Sequence, residues 1–296
     1  MRDWRAVAGG AAHGSGGAMA ARPPSRSLEP AGALANLGAT REQREAMAEI
    51  ILLTGKAAPL PGSDQKSGID KRPVDRPLAL GPEGFSGDEQ ADRRVHGGPE
   101  KAVHHYPFDH YAAWREELGL LRPAEPPGVS HPRTPVEYLE NREIRGLLDA
   151  PGAFGENIST RGLTEADVAV GDIFRLGSAL VQVSQGRQPC WKLNRRFGVE
   201  TMARRVQESG RTGWYYRVLE PGIVAPGDRL ELVDRVAPDW TLRRLWHALY
   251  VDRLNLGELQ GIAALDILAE GWRRYAVRRL ESGRVEDWSK RLEGSA

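Results

Sequence analysis

Short apolar runs separated by glycine and proline dominate the chain between residue 47 and Pro238. Glu49–Thr54 contains four consecutive apolar residues, two of them β-branched, and predicts a strand. Asp172–Leu176 and Ala179–Ser184 predict two more strands, because the residues between them, Gly177-Ser178, suit a tight hairpin turn. The frequent breaks favour a β-barrel or sandwich over repeated strand–helix–strand units. Further strands are predicted at Trp214–Leu219 and Arg229–Val236.

After Pro238 the apolar positions follow a helical period. Apolar residues recur every three or four positions in Trp240–Tyr250, Leu256–Ala269 and Trp272–Leu280. Helices this short are marginal alone, so we expect them to pack on one another or on the barrel as a small bundle. Two helices are also predicted earlier in the chain, at Pro107–Leu118 and at Cys190–Glu208, the second ending before Gly210.

The polar sides of the three tail helices are strongly basic. A solvated surface is the simpler interpretation. A docking surface for an acidic electron donor is the functional alternative, because complementary charge accelerates encounter. The arginines concerned are Arg243, Arg244, Arg253, Arg273, Arg274, Arg278 and Arg279.

The pattern divides the chain into three parts. Residues 1–46 are rich in Ala, Gly, Arg and Ser, and we expect this extension to be disordered because it cannot bury enough surface to offset its ordering entropy. Met47 precedes the first strand and is an alternative start. Residues 47–237 are expected to form the β-rich domain, with a proline-rich loop at Leu121–Pro135, and residues 238–296 the helical domain. The predicted fold class is α+β, mainly β.

Charge and cysteine content exclude several functional classes. The 296 residues include 41 Lys or Arg and 40 Asp or Glu, so bulk charge gives no argument for nucleic acid or an anionic membrane as a partner. No apolar run approaches the roughly 20 residues that a membrane helix needs, and we expect a cytoplasmic protein. The single cysteine, Cys190, excludes an internal disulfide and a four-cysteine iron–sulfur cluster held by this chain alone.

Cys190 stands in a sequence context that favours a reactive thiol. Arg187 and Lys192 flank it, and a predicted helix begins just after Pro189. Cations and a helix N-terminus both stabilise a thiolate, which is the form that binds soft metals or attacks electrophiles. A buried, inert cysteine is the alternative.

Two glycine-containing segments could contribute to the same site. In His96–Lys101, the adjacent Gly97 and Gly98 would let backbone N–H groups approach an anion, and Lys101 adds a positive charge. Phe154–Asn157 presents a carboxylate and an amide in a loop. A plain turn is the alternative interpretation of each segment.

Four histidines, His96, His104, His105 and His110, lie close together in the sequence, but their spacing does not suit a zinc site. His104 and His105 would point to opposite faces of a strand, so only one of them could share a pocket with His96. A serine hydrolase is also poorly supported, because the chain has no Gly-x-Ser-x-Gly motif.

Taken together and in this order, these segments resemble the MOSC domain, and more closely the bacterial stand-alone MOSC proteins that give resistance to 6-N-hydroxylaminopurine. The resemblance extends from Ile50 to Leu292 and is specific, because His-Gly-Gly-Pro, Phe-Gly-Glu-Asn and Pro-Cys occur together. One departure is Gly186, where relatives often carry proline. The tail, including Val285–Trp288, is similar to the three-helix domain that follows MOSC in this group. The matching stretches are Gly87–Gln90, His96–Pro107, Phe154–Asn157, Gly171–Phe174, Val183–Lys192, Gly213-Trp214 and Glu231–Val233.

The resemblance implies a β-barrel-like domain that binds a pterin-based molybdenum cofactor (molybdopterin), followed by a three-helix bundle. Cys190 matches the family cysteine that supplies a thiolate to molybdenum, and is therefore the expected catalytic residue and metal ligand. Pyridoxal phosphate is not expected. The basic residues and the glycine backbone would hold the cofactor phosphate, with a histidine and an amide lining the pocket. The implied cofactor-binding residues are His96, Gly97, Gly98, Lys101, Asn157, Arg187 and Lys192.

The reaction that the resemblance implies is two-electron reduction of N–O bonds in small N-hydroxylated compounds, such as hydroxylaminopurines or hydroxylamines, which would detoxify base analogues. Electrons would come from a separate flavin or iron–sulfur reductase, because the chain shows no dinucleotide-binding fingerprint. A homodimer is one possible oligomeric state of such a protein. Two alternatives remain: a sulfur carrier in which Cys190 bears a persulfide, and a protein that binds or stores the cofactor.

Overall fold

The computed structural model describes residues 48–92, 96–120 and 144–294. The predicted disorder of residues 1–46, the alternative start at Met47 and the loop predicted at Leu121–Pro135 lie outside the described residues. Strands end at Asp234 and helices follow from Leu242, as the change of pattern near Pro238 predicts. In chain order the strands are β1 (Ala48–Glu49), β2 (Ile51–Gly55), β3 (Ala58–Pro59), β4 (Lys66–Ser67), β5 (Lys71–Pro73), β6 (Leu78–Gly81), β7 (Gly84–Phe85), β8 (Val103–His105), β9 (Ile158–Ser159), β10 (Ile173–Leu176), β11 (Ala179–Gly186), β12 (Trp214–Glu220), β13 (Gly222–Val224) and β14 (Arg229–Asp234).

The main sheet closes into a barrel because one stretch of chain pairs at both ends of it. Its strands follow the order β1-β14-β10-β11-β12-β8-β9-β2-β5. β1 pairs antiparallel with β14, and β2 pairs antiparallel with β9. Only Ile50 separates β1 from β2, and its N–H donates to Asp228 O at 2.9 Å. Residues 48–55 therefore connect the two ends of the strand order.

The predicted hairpin at Gly177-Ser178 is confirmed and brings the chain to the site. β10 and β11 pair from Leu176 and Ala179 onwards. Gly177 has a φ of 58°, and a Cβ at this position would lie 2.4 Å from Ile223 O, so the turn needs glycine. β11 then runs through the barrel wall and ends just before the loop that carries Cys190.

Helices within the barrel part of the chain are short. The helix predicted at Pro107–Leu118 is confirmed as α1 (His110–Glu117). The single helix predicted at Cys190–Glu208 is wrong, because two helices occupy this region. They are α2 (Lys192–Phe197) and α3 (Met202–Ser209).

Gly198 separates the two helices. It ends α2 in a left-handed conformation with φ 64°, which glycine adopts without steric cost. The Asn194 side chain accepts a hydrogen bond from Ala203 N–H at 2.8 Å, so it joins the end of one helix to the start of the next.

Four helices form the tail, and the first three confirm the predicted bundle. The helix predicted at Leu256–Ala269 ends early, because the chain turns after Ala263 and Ala269 N–H donates to Ser184 O of β11 at 2.9 Å. The fourth, short helix was not predicted. The tail helices are α4 (Leu242–Tyr250), α5 (Leu256–Ala263), α6 (Glu270–Ser282) and α7 (Ser289–Glu293).

Barrel and tail share one apolar core. Leu245, Ile262 and Trp272 of the tail belong to the same buried cluster as Val183 and other barrel residues. The mainly β fold with a helical tail is therefore confirmed, whereas the domain boundary at residue 237 stays a prediction. Among the described residues, no helix combines the length and apolar character needed to cross a bilayer.

The placement of Arg279 on the solvated side of the tail was wrong. Its side chain is 2% exposed and lies between α4 and the segment after α6. It donates to Glu286 Oε2 at 2.8 Å and to Leu249 O at 2.9 Å. A buried, fully partnered arginine of this kind holds the tail together and does not form part of a docking surface.

Candidate functional site

Cys190 lines a cleft of about 570 Å³ including open solvent, which we call the inner cleft. The loop after β11, strand β8 and the 154–157 loop meet here, together with residues 67–71 and 89–91, so separate segments of the sequence converge. Gly97 and Gly98 are not among the lining residues. Gly98, with φ 91°, instead turns the chain into the 3₁₀ helix Pro99–Lys101 that places Lys101. The predicted residues that line the inner cleft are His96, Lys101, Asn157, Arg187, Cys190 and Lys192.

His96 contacts the thiol directly. Its Nε2 lies 3.4 Å from Cys190 Sγ. Burial first, and then the nearby charges of Lys192 and Lys101, lower the pKa of His96 from 6.5 to about 4. The imidazole is therefore neutral at neutral pH. A thiolate can only accept hydrogen bonds, so beside a thiolate the His96 ring must donate from Nε2.

Cationic side chains surround the thiol and are incompletely balanced. Arg187 is buried and donates from Nη2 to Phe154 O at 3.3 Å, while its buried Nη1 has no hydrogen-bond partner within the described residues. Lys192 is also buried, and across 48–92, 96–120 and 144–294 it makes no hydrogen bond or ion pair. Burial lowers the pKa of Lys101, and the charge of Cys190 opposes that shift. The unpartnered nitrogen of Arg187 and the ammonium of Lys192 suit a bound anion.

Asn157 lines the cleft, but its amide serves neighbouring protein groups. Its Oδ1 accepts from His104 N–H at 3.1 Å, and its Nδ2 donates to Asp88 Oδ2 at 2.9 Å. Asp88 in turn pairs with Lys71 at 2.5 Å, where the two side chains are 4% and 6% exposed. Asn157 therefore fixes β8 and a buried ion pair beside the cleft.

Lys71 is a site residue that the sequence analysis missed. Burial lowers its pKa, and the charge of Asp88 opposes the shift. No local motif marks it, because Asp70-Lys71-Arg72 reads as an ordinary polar segment. Tyr215 was also missed; it lines the cleft, and burial raises its pKa.

The two adjacent histidines point in opposite directions, as predicted. His104 lines the inner cleft, and its Nε2 is buried without a partner in the described part of the chain. His105 lies on the other face, within hydrogen-bond distance of Tyr216 OH (3.0 Å) and Thr160 Oγ1 (2.9 Å). Within the described ranges, no group of three His, Cys, Asp or Glu side chains could hold a metal ion.

A second, wider opening, the outer groove, begins at the same thiol. It has a volume of about 2250 Å³ including open solvent, and it shares His96, Cys190 and Lys192 with the inner cleft. Its far wall comes from the tail and carries aromatic and charged groups. The tail residues concerned are Tyr275, Arg278, Glu286, Asp287, Trp288, Lys290 and Arg291.

The arrangement fits an anionic group that carries a soft metal. Cys190 offers a thiolate, the ligand type that soft metals prefer. Arg187 offers a buried donor, and Lys192 offers an ammonium group that lines the cleft, for charge-assisted hydrogen bonds to phosphate oxygens. The inner cleft would hold the anionic part, and the outer groove would leave the face beside Cys190 open to a small molecule.

Two known families match successive parts of the chain. The MOSC domain matches residues 92–231, and the YiiM-like, 3-alpha helix domain matches residues 240–283. The gap between the two matches coincides with the change from strands to helices. The first match includes the three segments of the inner cleft that carry His96, Asn157 and Cys190.

Individual relatives agree with these matches. Protein YiiM of Escherichia coli (strain K12) is 40% identical over 245 residues, which cover 81% of this chain and 96% of that protein. The crystal structure of YiiM from Escherichia coli has a TM-score of 0.65 at 33% identity and covers 84% of this chain and 99% of that one. A protein named Reductase, from Gibberella moniliformis (strain M3125 / FGSC 7600), is 35% identical over 199 residues, or 67% of this chain and 31% of its own length.

Proposed function

The chain belongs to the MOSC-domain proteins of the 6-N-hydroxylaminopurine-resistance type with a YiiM-like three-helix tail, and from this we propose that it is a molybdenum-cofactor-dependent reductase of N-hydroxylated compounds. One observation carries the proposal: the chain's single thiol lies where a cationic cleft meets a wider groove. The fungal relative named Reductase supports the reaction class. A cytoplasmic location would keep the thiol reduced.

The chain's own residues would divide the work. Cys190 would supply the thiolate ligand to molybdenum, with His96 Nε2–H donating to the sulfur. Arg187 and Lys192 would hold the phosphate, and the Nη1 of Arg187, which has no partner among the described residues, would gain an acceptor. When bound, the cofactor would supply a two-electron centre that accepts oxygen.

The outer groove would admit the substrate. Two electrons and two protons convert R–NHOH into R–NH₂ and water, so the reaction needs an electron source and a route for water. The electrons would come from a separate flavin or iron–sulfur protein, because one cysteine cannot ligate a four-cysteine cluster. The aromatic rings of Tyr275 and Trp288 on the far wall suit a planar base analogue.

The test combines metal analysis with turnover. The wild-type protein and a Cys190→Ser variant would be purified from a host that makes the cofactor. Molybdenum content would be measured, together with conversion of 6-N-hydroxylaminopurine to adenine by a small chemical reductant. We expect near-equimolar molybdenum and turnover in the wild type, and loss of turnover in a folded Cys190→Ser variant. Arg274→Gln, which lies in neither cleft, is the matched control.

Two outcomes would overturn the proposal. Near-wild-type turnover by a folded, metal-loaded Cys190→Ser protein would remove Cys190 from the reaction. A wild-type protein without molybdenum or turnover, but with a persulfide on Cys190 in its mass spectrum, would identify a sulfur carrier. Metal binding without turnover would instead identify a protein that stores the cofactor.

A further inference from the structure

The last short helix, α7, returns from the tail to the loop that carries Cys190. It follows the end of the match to the three-helix family at residue 283. Leu292 of α7 is buried in the cluster that also contains Leu193 and Phe197 of α2. Asn194 Nδ2 donates to Leu292 O at 2.8 Å, which adds a polar link between the two helices.

One residue of α7, Arg291, bonds to the peptide groups on both sides of Cys190. Its Nη1 donates to Pro189 O at 2.5 Å, and its own carbonyl accepts from Trp191 N–H at 2.8 Å. The remaining arm of the guanidinium donates to Gln207 Oε1 at 2.5 Å, so the side chain is held from α3 as well.

This contact restricts the backbone at the thiol. Proline fixes its own φ, and the bonds to Pro189 O and Trp191 N–H fix the orientation of the two peptide planes that adjoin Cys190. The direction of the Cys190 side chain follows from these planes. The 3.4 Å contact between Sγ and His96 Nε2 therefore depends on a residue about a hundred positions away along the chain.

We propose that Arg291 is a positioning residue that holds the Cys190 thiolate in place, which makes α7 part of the site. Its effect on turnover rests on the proposed function, whereas its effect on the thiol does not. A purely structural helix would stabilise the fold without controlling the sulfur. A positioning residue also limits the movement of the thiol, and therefore the rate at which a reagent can reach it.

The test uses the fact that Cys190 is the chain's single thiol, so alkylation reports on it alone. Cofactor-free wild type, Arg291→Ala and Arg291→Lys would be treated with iodoacetamide at constant pH. We expect alkylation of Arg291→Ala to be faster by about 5- to 50-fold, the effect of losing a charge-assisted hydrogen bond that keeps the loop closed. The alkylation rate of Arg291→Lys should lie between those of the wild type and Arg291→Ala, because lysine can reach one acceptor but lacks the forked geometry of arginine.

Arg204→Gln is the matched control. Arg204 of α3 is exposed and pairs with Glu293 of α7 at 2.7 Å, and within the described residues no hydrogen bond or ion pair joins its side chain to the loop of Cys190. In Arg204→Gln, Cys190 should be alkylated at the wild-type rate. If Arg291→Ala does not fold, Gln207→Met takes its place, because it releases the guanidinium without removing it and should give a smaller rise in rate.

In the cofactor-loaded enzyme, Arg291→Ala should lower kcat about tenfold or more, as misplacement of a reacting group does, with little change in KM. Equal alkylation rates in the wild type, Arg291→Ala and Gln207→Met would overturn the inference. A raised KM with unchanged kcat and alkylation would make Arg291 a substrate contact and would also overturn it. An inactive wild type would count against the proposed function, while the alkylation rates would still decide the role of Arg291.

Discussion

Two groups of cationic side chains differ in how their charges are balanced. In the site, Arg187 keeps a buried nitrogen without a partner in the described residues, and the buried Lys192 makes no hydrogen bond or ion pair there. In the described part of the tail, four of the seven arginines named in the sequence analysis form ion pairs with carboxylates. The tail pairs are Arg244–Glu258, Arg273–Asp266, Arg274–Glu270 and Arg279–Glu286.

The difference separates structural charges from binding charges. A buried charge without a partner costs free energy of folding, so a fold retains it where a ligand supplies the partner. On α6, Arg273, Arg274 and Arg279 already have carboxylate partners, which weakens the case for a basic docking surface there. Arg278 of the same helix instead lies over the Tyr275 ring and lines the outer groove. The site cations point to an anionic ligand, and the two groups should respond to mutation in opposite ways.

The largest effect is expected at Arg279. Arg279→Ala would leave the Glu286 carboxylate and the Leu249 carbonyl without their partner, and breaking a buried pair in this way costs about 3–5 kcal/mol of unfolding free energy. Urea denaturation would measure the loss. Arg274→Ala is the matched control, since its exposed pair with Glu270 should contribute less than about 0.5 kcal/mol. Equal losses in both variants would remove the distinction between buried and exposed pairs.

At Lys192 the sign should reverse. Lys192→Met keeps the side-chain length but removes one of several like charges that line the inner cleft, so the cofactor-free protein should gain up to about 1 kcal/mol in stability. The same change should weaken retention of the cofactor about 10- to 100-fold, since one charge-assisted contact is lost. Denaturation curves and molybdenum content after dialysis would measure the two effects.

Arg195→Met is the control for Lys192, because Arg195 lies on the same helix but is exposed. Arg195→Met should change neither the unfolding free energy nor the retention of the cofactor. Cofactor retention equal to the wild type in Lys192→Met would show that its charge does not serve the ligand.

The last effect develops only below neutral pH and concerns a histidine that avoids the cost of a buried charge by remaining neutral. Burial lowers the pKa of His105 from 6.5 to about 3. Between these values the unfolded chain binds a proton that the folded protein does not, so stability falls as pH falls from 6.5 towards 3. This single group contributes a slope of about 1.4 kcal/mol per pH unit. His105→Gln should remove that part of the slope between pH 6 and pH 4.

Denaturation at several pH values would measure the slope, with His247→Gln as the control because His247 is exposed. His105→Gln should also lower stability at pH 7, because the bonds to Tyr216 and Thr160 change. Only the slope tests the titration. An unchanged slope would mean that His105 is protonated in the folded protein.

Local signals predicted the parts of the molecule that depend on neighbours in sequence. The turn at Gly177-Ser178 requires only two residues with suitable backbone freedom, and the apolar period of α4 and α6 follows from burial of one face. Cys190 and His96 were identified because Pro-Cys and His-Gly-Gly-Pro are short contiguous motifs that one sequence is enough to show. Gly198 is a residue type that typically ends a helix, but the helix predicted at Cys190–Glu208 continued through it.

Contacts between residues that are far apart in the chain could not be predicted from these local signals. Lys71 meets Asp88 across 17 positions, and Arg291 meets Pro189 across 102. Nothing in the composition around Lys71 or Arg291 distinguishes them from solvated charges. Their roles follow from the closure of the barrel and the return of α7, which depend on the whole chain.

The stretch 48–55 gives the molecule a particular vulnerability. Because it pairs with β14 through β1 and with both β9 and β5 through β2, its loss would leave the facing edges of three strands unpaired at once. Exposed edges are templates for association with other chains. A chain trimmed to Met47 retains the whole stretch, whereas one trimmed past Gly55 would keep most of its apolar core and yet be prone to edge-to-edge aggregation.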